Sequence, residues 1–206
     1  MRVIPLIVAT LVLASSAFSF SNPGLLKADR TAGYYVLDNL ERSLFSSGLT
    51  YSQKQNDKLS LEANYTCYRS LFIISNNITK LSAYEKYRLL EFGPVSLYGS
   101  AGIGIIYSTA AGGGVTFNAG PLVTAKITDR IAAIVPIYFI FFSDGFQIDA
   151  SPSINFVPGI FNDNLELYLG GKIEAQMVGS FASSTGQNTD GKASFYGLLG
   201  VRAGLF

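Results

Sequence analysis

The sequence predicts an all-β protein, a closed antiparallel transmembrane β-barrel of about ten strands, with eight as the alternative. Three observations lead there. In Phe146–Phe156, the apolar residues Phe146, Ile148, Ala150, Ile154 and Phe156 fall on one face and Gln147, Asp149, Ser151, Ser153 and Asn155 on the other. Strict period-two alternation of this kind marks a strand with a different medium on each side. The segment before it, Ile131–Phe142, is apolar on both faces and reaches it through Ser143-Asp144-Gly145, whose Asp-Gly pair favours a tight turn. The third observation is composition: the 206 residues are 14% charged and 49% hydrophobic, with a mean hydropathy of +0.31, whereas soluble domains carry about a quarter charged residues.

Strand length agrees with a bilayer. A strand of about twelve residues extends roughly 40 Å, or about 28 Å when tilted near 45°, which suits the roughly 25 Å apolar band of a membrane barrel. Beyond the N-terminus no apolar run reaches the roughly 20 residues that a helical span needs. The longest, Ile131–Phe142, is interrupted by Pro136, which costs a helix interior about 3 kcal/mol. A chain that crosses lipid with strands must close into a barrel, because an open sheet edge is not tolerated in hydrocarbon.

Taken in order, the chain begins with a targeting segment. Arg2 supplies the positive start, Val3–Ala14 the apolar stretch and Ala17-Phe18-Ser19 a small-x-small site. Residues 1–21 are therefore expected to be a cleaved signal peptide, cut between Ala17 and Ser21, and residues 22–206 a single barrel domain. Cys67 is the one cysteine and can form no bridge within the chain. Residues 27–37 read as a first strand, followed by a turn or helical bend in which Asp38 and Glu41 have capping-box spacing. Leu44–Lys54 and Lys58–Ser75 flank Asn56-Asp57, with Leu59, Leu61, Ala63, Tyr65 and Cys67 on one face. Lys80–Phe92 also has helical signals at Ser82 and Glu85, but it runs into Val95–Tyr107 through Gly93-Pro94 and is read as a strand.

The later strands are clearer. Val95, Leu97, Ala101, Ile103, Ile105 and Tyr107 point outward, while Ser96, Tyr98, Ser100, Gly102 and Gly104 point inward. In Val115–Ile127, Val115, Phe117, Ala119, Val123, Ala125 and Ile127 alternate with Thr116, Asn118, Gly120, Thr124 and Lys126. Leu165–Val178 alternates Leu165, Leu167, Leu169, Ile173, Ala175 and Met177 with Glu166, Tyr168, Lys172, Glu174 and Gln176. A polar loop, Gly179–Lys192, leads to the last strand, Ala193–Phe206. Gly93-Pro94 and Thr128–Arg130 are expected to be turns on the inner side of the membrane, and Gly179–Lys192 an outer loop, since such barrels have short inner turns and longer outer loops. Tyr51, Tyr107, Phe161 and Phe181 lie where an aromatic girdle belongs.

With its cleavable leader, its alternating strands rich in Tyr and Phe and its terminal Phe206, the chain resembles the small outer-membrane barrels of Gram-negative bacteria, of the OmpA and OmpX type. The resemblance covers the mature chain and rests on pattern. It implies placement in the outer membrane among its lipids, as a monomer, and recognition of the C-terminal strand by the barrel-assembly machinery. Phe206 departs from the pattern: it shares a face with Tyr196 and Arg202, opposite the apolar Phe195, Leu199, Val201, Ala203 and Leu205.

Chemistry is sparse. The absence of histidine removes the commonest general base and metal ligand, and one cysteine makes no thiolate metal site. The enzymes of the resembled group (outer-membrane phospholipases, lipid A deacylases and omptin-like proteases) use a catalytic histidine, so none of their mechanisms transfers. No Gly-x-Ser-x-Gly, Ser-x-x-Lys or phosphate loop occurs. No cofactor, metal or nucleic-acid partner is expected, and the net charge of +1 gives no reason for the last. One constellation remains. Pairing across the turn after Phe156 brings Asp149 near Lys172 and Glu174, and pairing across the last loop brings Arg202 near Tyr168 and Glu166. Opposite charges that neutralise one another in a narrow lumen are the simplest account, because a buried charge needs a partner. The expectation is a non-enzymatic barrel, structural or letting small solutes pass slowly. The alternative is a soluble secreted β-barrel that holds a small apolar ligand inside.

Overall fold

The structure is a computed structural model. It describes residues 25–39, 44–70, 78–109, 112–143, 145–178 and 193–205. The expected signal segment, Phe181 within 179–192 and Phe206 lie outside them.

Eleven strand segments follow one another: β1 (Arg30–Asn39), β2 (Leu44–Lys54), β3 (Leu59–Ser70), β4 (Ile78–Phe92), β5 (Val95–Ser108), β6 (Gly112–Thr128), β7 (Ile131–Phe141), β8 (Phe146–Ala150), β9 (Ser153–Phe156), β10 (Leu165–Val178) and β11 (Ala193–Leu205). Successive strands pair antiparallel, except that β8 and β9 do not pair with each other, and β11 returns to β1 with Arg30 opposite Leu205 and Asp38 opposite Gly197. The sheet is closed. β8 and β9 pair with the same two partners, β7 and β10, in one continuous register. They are a single stave interrupted at Ser151-Pro152, so the barrel has ten staves and the eight-strand alternative falls away.

The interruption corrects the expectation of one unbroken strand over Phe146–Phe156. Proline has no N–H to give the ladder and is rare inside central strands. The first strand also differs. It begins at Arg30 and continues through Asn39, because its partners are set by the barrel closure with β11 as well as by β2. β6 extends through Thr128, leaving only Asp129-Arg130 in the turn to β7.

Turn chemistry at one end of the barrel is local. The Asn56 side chain accepts from the backbone N–H groups of Lys58 and Leu59 at 2.8 and 3.0 Å. Gly93 takes a positive φ of 55° in the two-residue turn between β4 and β5, a conformation that costs glycine little. A single 3-10 turn, Phe161–Asp163, lies in the connection to β10.

The two faces separate as the alternation predicts. Leu49, Val115, Phe117, Leu169 and Leu199 point outward and are 56–65% exposed. Their inward neighbours include Thr116, Asn118, Tyr168 and Leu198, all buried. The interior is not uniform. β6 and β7 line it with Leu122, Ile134, Tyr138 and Ile140, whereas β3, β4 and β8–β11 supply most of its charged groups. Tyrosines fill the width: the Tyr84 and Tyr138 rings stack at 4.6 Å, and Tyr68 meets Tyr196 edge-on at 6.3 Å. Tyr35 lies across from Gly48 on one side and Gly200 on the other. A Cβ at Gly48 would overlap the Tyr35 ring, and one at Gly200 the Tyr168 ring.

Candidate functional site

The inward charges gather in two clusters at different heights. The first is built on β3, β4, β8 and β10. Glu174 faces Asp149 across the β8–β10 ladder, and Lys172, two residues away on the same face, bridges both. Its Nζ lies 2.6 Å from Glu174 Oε1 and 3.3 Å from Asp149 Oδ2. Lys80 Nζ adds a second cation 3.5 Å from Glu174. Tyr68 ties the group together, donating from its hydroxyl to Glu174 at 2.5 Å and accepting from Lys172 at 2.8 Å. Tyr196 also donates to Glu174, at 3.3 Å, and Gln147 donates to Asp149.

The second cluster sits nearer the end that holds the short turns. Glu166 faces Arg202 across β10–β11, with Nη1 and Oε1 3.8 Å apart. Arg202 lies 5.7 Å from the centre of the Tyr168 ring. Glu166 is fully buried. It accepts from the Asn155 side chain and, at 3.3 Å, from the backbone N–H of Leu25. Beside it, Lys86 donates to Glu62 at 2.6 Å and Asn64 to the other Glu62 oxygen at 2.9 Å.

Asp149, Lys172 and Glu174 therefore lie together, as do Arg202, Glu166 and Tyr168. The sequence reading missed Glu62, Lys80, Lys86 and Tyr68. The signal was available: Glu62 and Tyr68 are out of phase with Leu59, Leu61, Ala63 and Tyr65, and Lys80 and Lys86 share a parity on the next strand. Charges at Glu85 and Glu91 on the opposite parity of β4 obscured it.

Between the clusters lies a cavity of about 170 Å³. Leu122, Ile134, Pro136 and Ile140 form one wall; Glu62, Asp149, Lys172 and Arg202 stand on the other. At roughly 30 Å³ per water in the liquid, the space suits a few waters or one small molecule. Among the described residues no three His, Cys, Asp or Glu side chains come together as a metal site, and none of the carboxylates is paired with a nucleophile and a base.

The chain is a closed ten-stave antiparallel β-barrel. No family model matches it, and no curated protein matches it either. Among solved structures it is similar to Neisserial surface protein A, with 12% identity over 85% of this chain and 94% of that one and a TM-score of 0.38. It is also similar to the N-terminal β-barrel domain of Pseudomonas aeruginosa OprF, with 13% identity over 85% of this chain and 97% of that one, again at a TM-score of 0.38.

Proposed function

We propose that the protein is an integral outer-membrane β-barrel, not an enzyme, whose lumen is held shut to free diffusion and lets small solutes pass slowly at most. The observation that carries this reading is the pairing of an apolar belt outside with neutralised, buried charges inside. Among the described residues exposed Leu, Ile, Val or Phe occur on eight of the ten staves, and β1 and β3 expose Tyr34 and Tyr65 instead. In water such a surface would drive association; in lipid it needs no cover. Among the described residues no helix is long and apolar enough to cross a membrane; in this reading the strands are the spanning elements. Inside, ten strands enclose little room, since barrels near eight strands are filled by side chains, and the ion pairs reach across what remains.

Two measurements test the reading. After alkaline washing the mature chain should stay with the membrane fraction and need detergent for release; recovery as a soluble monomer would support the apolar-ligand alternative instead. Refolded into a planar bilayer, it should give no steady large conductance. A persistent open channel would overturn the closed lumen while leaving the membrane reading intact.

A further inference from the structure

Prolines occupy one line across three neighbouring staves. By the register of the flanking pairs, Pro121 of β6 falls opposite Ile137 of β7, Pro136 of β7 opposite Ser151, and Pro152 opposite Gly171 of β10. The β6–β7 ladder runs to Ala119–Phe139 and resumes at Leu122–Pro136, and the β7 ladder with β8 and β9 skips Ser151-Pro152. Each of these pairs keeps at most one of its two bonds: Ser151 N–H donates to Pro136 O at 3.1 Å and Gly171 N–H to Pro152 O at 3.0 Å, but no proline can donate in return. Two carbonyls also lean inward. The Ile137 oxygen lies where a Cβ on Gly120 would sit, and the Pro152 oxygen where one on Gly170 would sit.

The line falls midway along all four staves, the depth at which lost backbone bonds are costliest in lipid. It is also directly behind the apolar wall of the cavity, to which Leu122, Pro136 and Ile134 belong. An approach along the barrel axis has to pass an ion-pair cluster. An approach through the wall meets a ladder with missing bonds, apolar side chains on its outer face, and on its inner face Leu122, Ile134 and Pro136 from β6 and β7 beside Ser151 and Ser153 of the next stave.

We propose that the cavity binds a small uncharged amphiphile of about the size of phenol, and that this molecule passes between cavity and bilayer across the proline line. Size follows from volume, since an apolar cavity of about 150 Å³ accommodates benzene. The absence of net charge follows from the neighbours. Lys80, Lys86, Lys172 and Arg202 are matched by Glu62, Asp149, Glu166 and Glu174 within the clusters, so a charged ligand would bring a buried charge with no partner. The ring would lie on Leu122, Ile134 and Ile140, and the hydroxyl would face the polar wall. This proposal rests on the membrane reading.

The chain has no tryptophan, so Tyr138→Trp places a single reporter at the cavity, and Phe139→Trp, one residue on, places one on the outer face at the same depth. Each is refolded into phosphatidylcholine vesicles and titrated with 4-bromophenol at pH 7. Quenching of Tyr138→Trp should saturate and be relieved by excess unbrominated phenol; quenching of Phe139→Trp should rise without saturation and not be relieved. Linear, unrelieved quenching of Tyr138→Trp would overturn the site. If that variant does not fold, Tyr84→Trp, stacked on Tyr138, takes its place. For the route, Ile137→Cys and Ala150→Cys are added to the reporter with Cys67→Ser. This directly opposed pair can be bridged across the broken ladder. Oxidation should slow the onset of quenching at least tenfold without changing the plateau, and equal rates would overturn passage through the wall. Failure of the membrane reading looks different: Phe139→Trp would then escape quenching by phospholipids brominated on their acyl chains.

Discussion

Lys86 and Glu62 stand on neighbouring strands with 2.6 Å between Nζ and Oε2, both shut away from water inside the barrel. Each charge is tolerable there only because of the other. Removing one partner of a buried pair costs about 3–5 kcal/mol, while replacing both with apolar residues is often close to neutral. Lys86→Met should therefore lower stability by about 3–5 kcal/mol, and Lys86→Met with Glu62→Leu by much less. Urea titration of protein folded into lipid vesicles measures both. A double variant as damaged as the sum of the singles would show that the two charges act separately.

The same titration can test which face meets lipid. Ala150 and Ser151 are adjacent in sequence and in depth; Ala150 points outward between Ile137 and Ile173, and Ser151 lines the cavity. Ala150→Arg puts a charge into the hydrocarbon and should cost roughly 2–4 kcal/mol. Ser151→Arg puts it near Asp149, where overpacking of about 1–3 kcal/mol is the main penalty. Ser151→Asn, smaller and polar, should be the mildest of the three. If Ala150→Arg is tolerated while Ser151→Asn is not, the faces are inverted.

Close approach of backbones makes a third prediction. A Cβ at Gly102 would overlap the Ala83 carbonyl oxygen, part of a strand that cannot swing aside, whereas at Gly113 the nearest atom is a Tyr107 ring carbon at 3.4 Å. Gly102→Ala should destabilise by about 1–3 kcal/mol through forced backbone shifts. Gly113→Ala should be neutral or slightly stabilising, since it narrows the unfolded ensemble. Equal stabilities for the two in vesicle unfolding would argue against the tight β4–β5 contact.

Closure itself has a simple readout. With β1 bonded to β11 the ladder has no free edge at which detergent can begin to separate strands. Unheated protein should migrate differently from boiled protein in SDS gels. Identical mobilities after verified refolding would count against a closed ring.

Most of the architecture was readable because lipid and lumen impose opposite polarity on alternate residues. β2 and β10 begin and end where the alternation places them, and Val95–Tyr107 is short by only Ser108. The nearness of Arg202 to Glu166 follows from parity and antiparallel pairing across the last loop. What was obscure had local causes. β4 carries charge on both sequence parities, because Glu85 lies outside midway along the strand and Glu91 follows the bulge after Arg88, where it is opposite Ser96, and this hid the inward Lys80 and Lys86. Pro136 told only against a helix, and the alternation of Phe146–Phe156 passed over Pro152; the register of β6, β7, the β8–β9 stave and β10 shows that they and Pro121 line up.

The bond between β1 and β11 joins the two ends of the barrel sequence, with Arg30 against Leu205. All other neighbours in the ring lie close along the chain and can zip up as successive hairpins. That one contact bears the full loop-closure entropy and cannot form until every other stave is in place. Until it forms, the growing sheet has two open edges, each a template for another chain. Folding is therefore exposed to aggregation for as long as this step takes, and a truncated chain that lacks either β1 or β11 never leaves that condition.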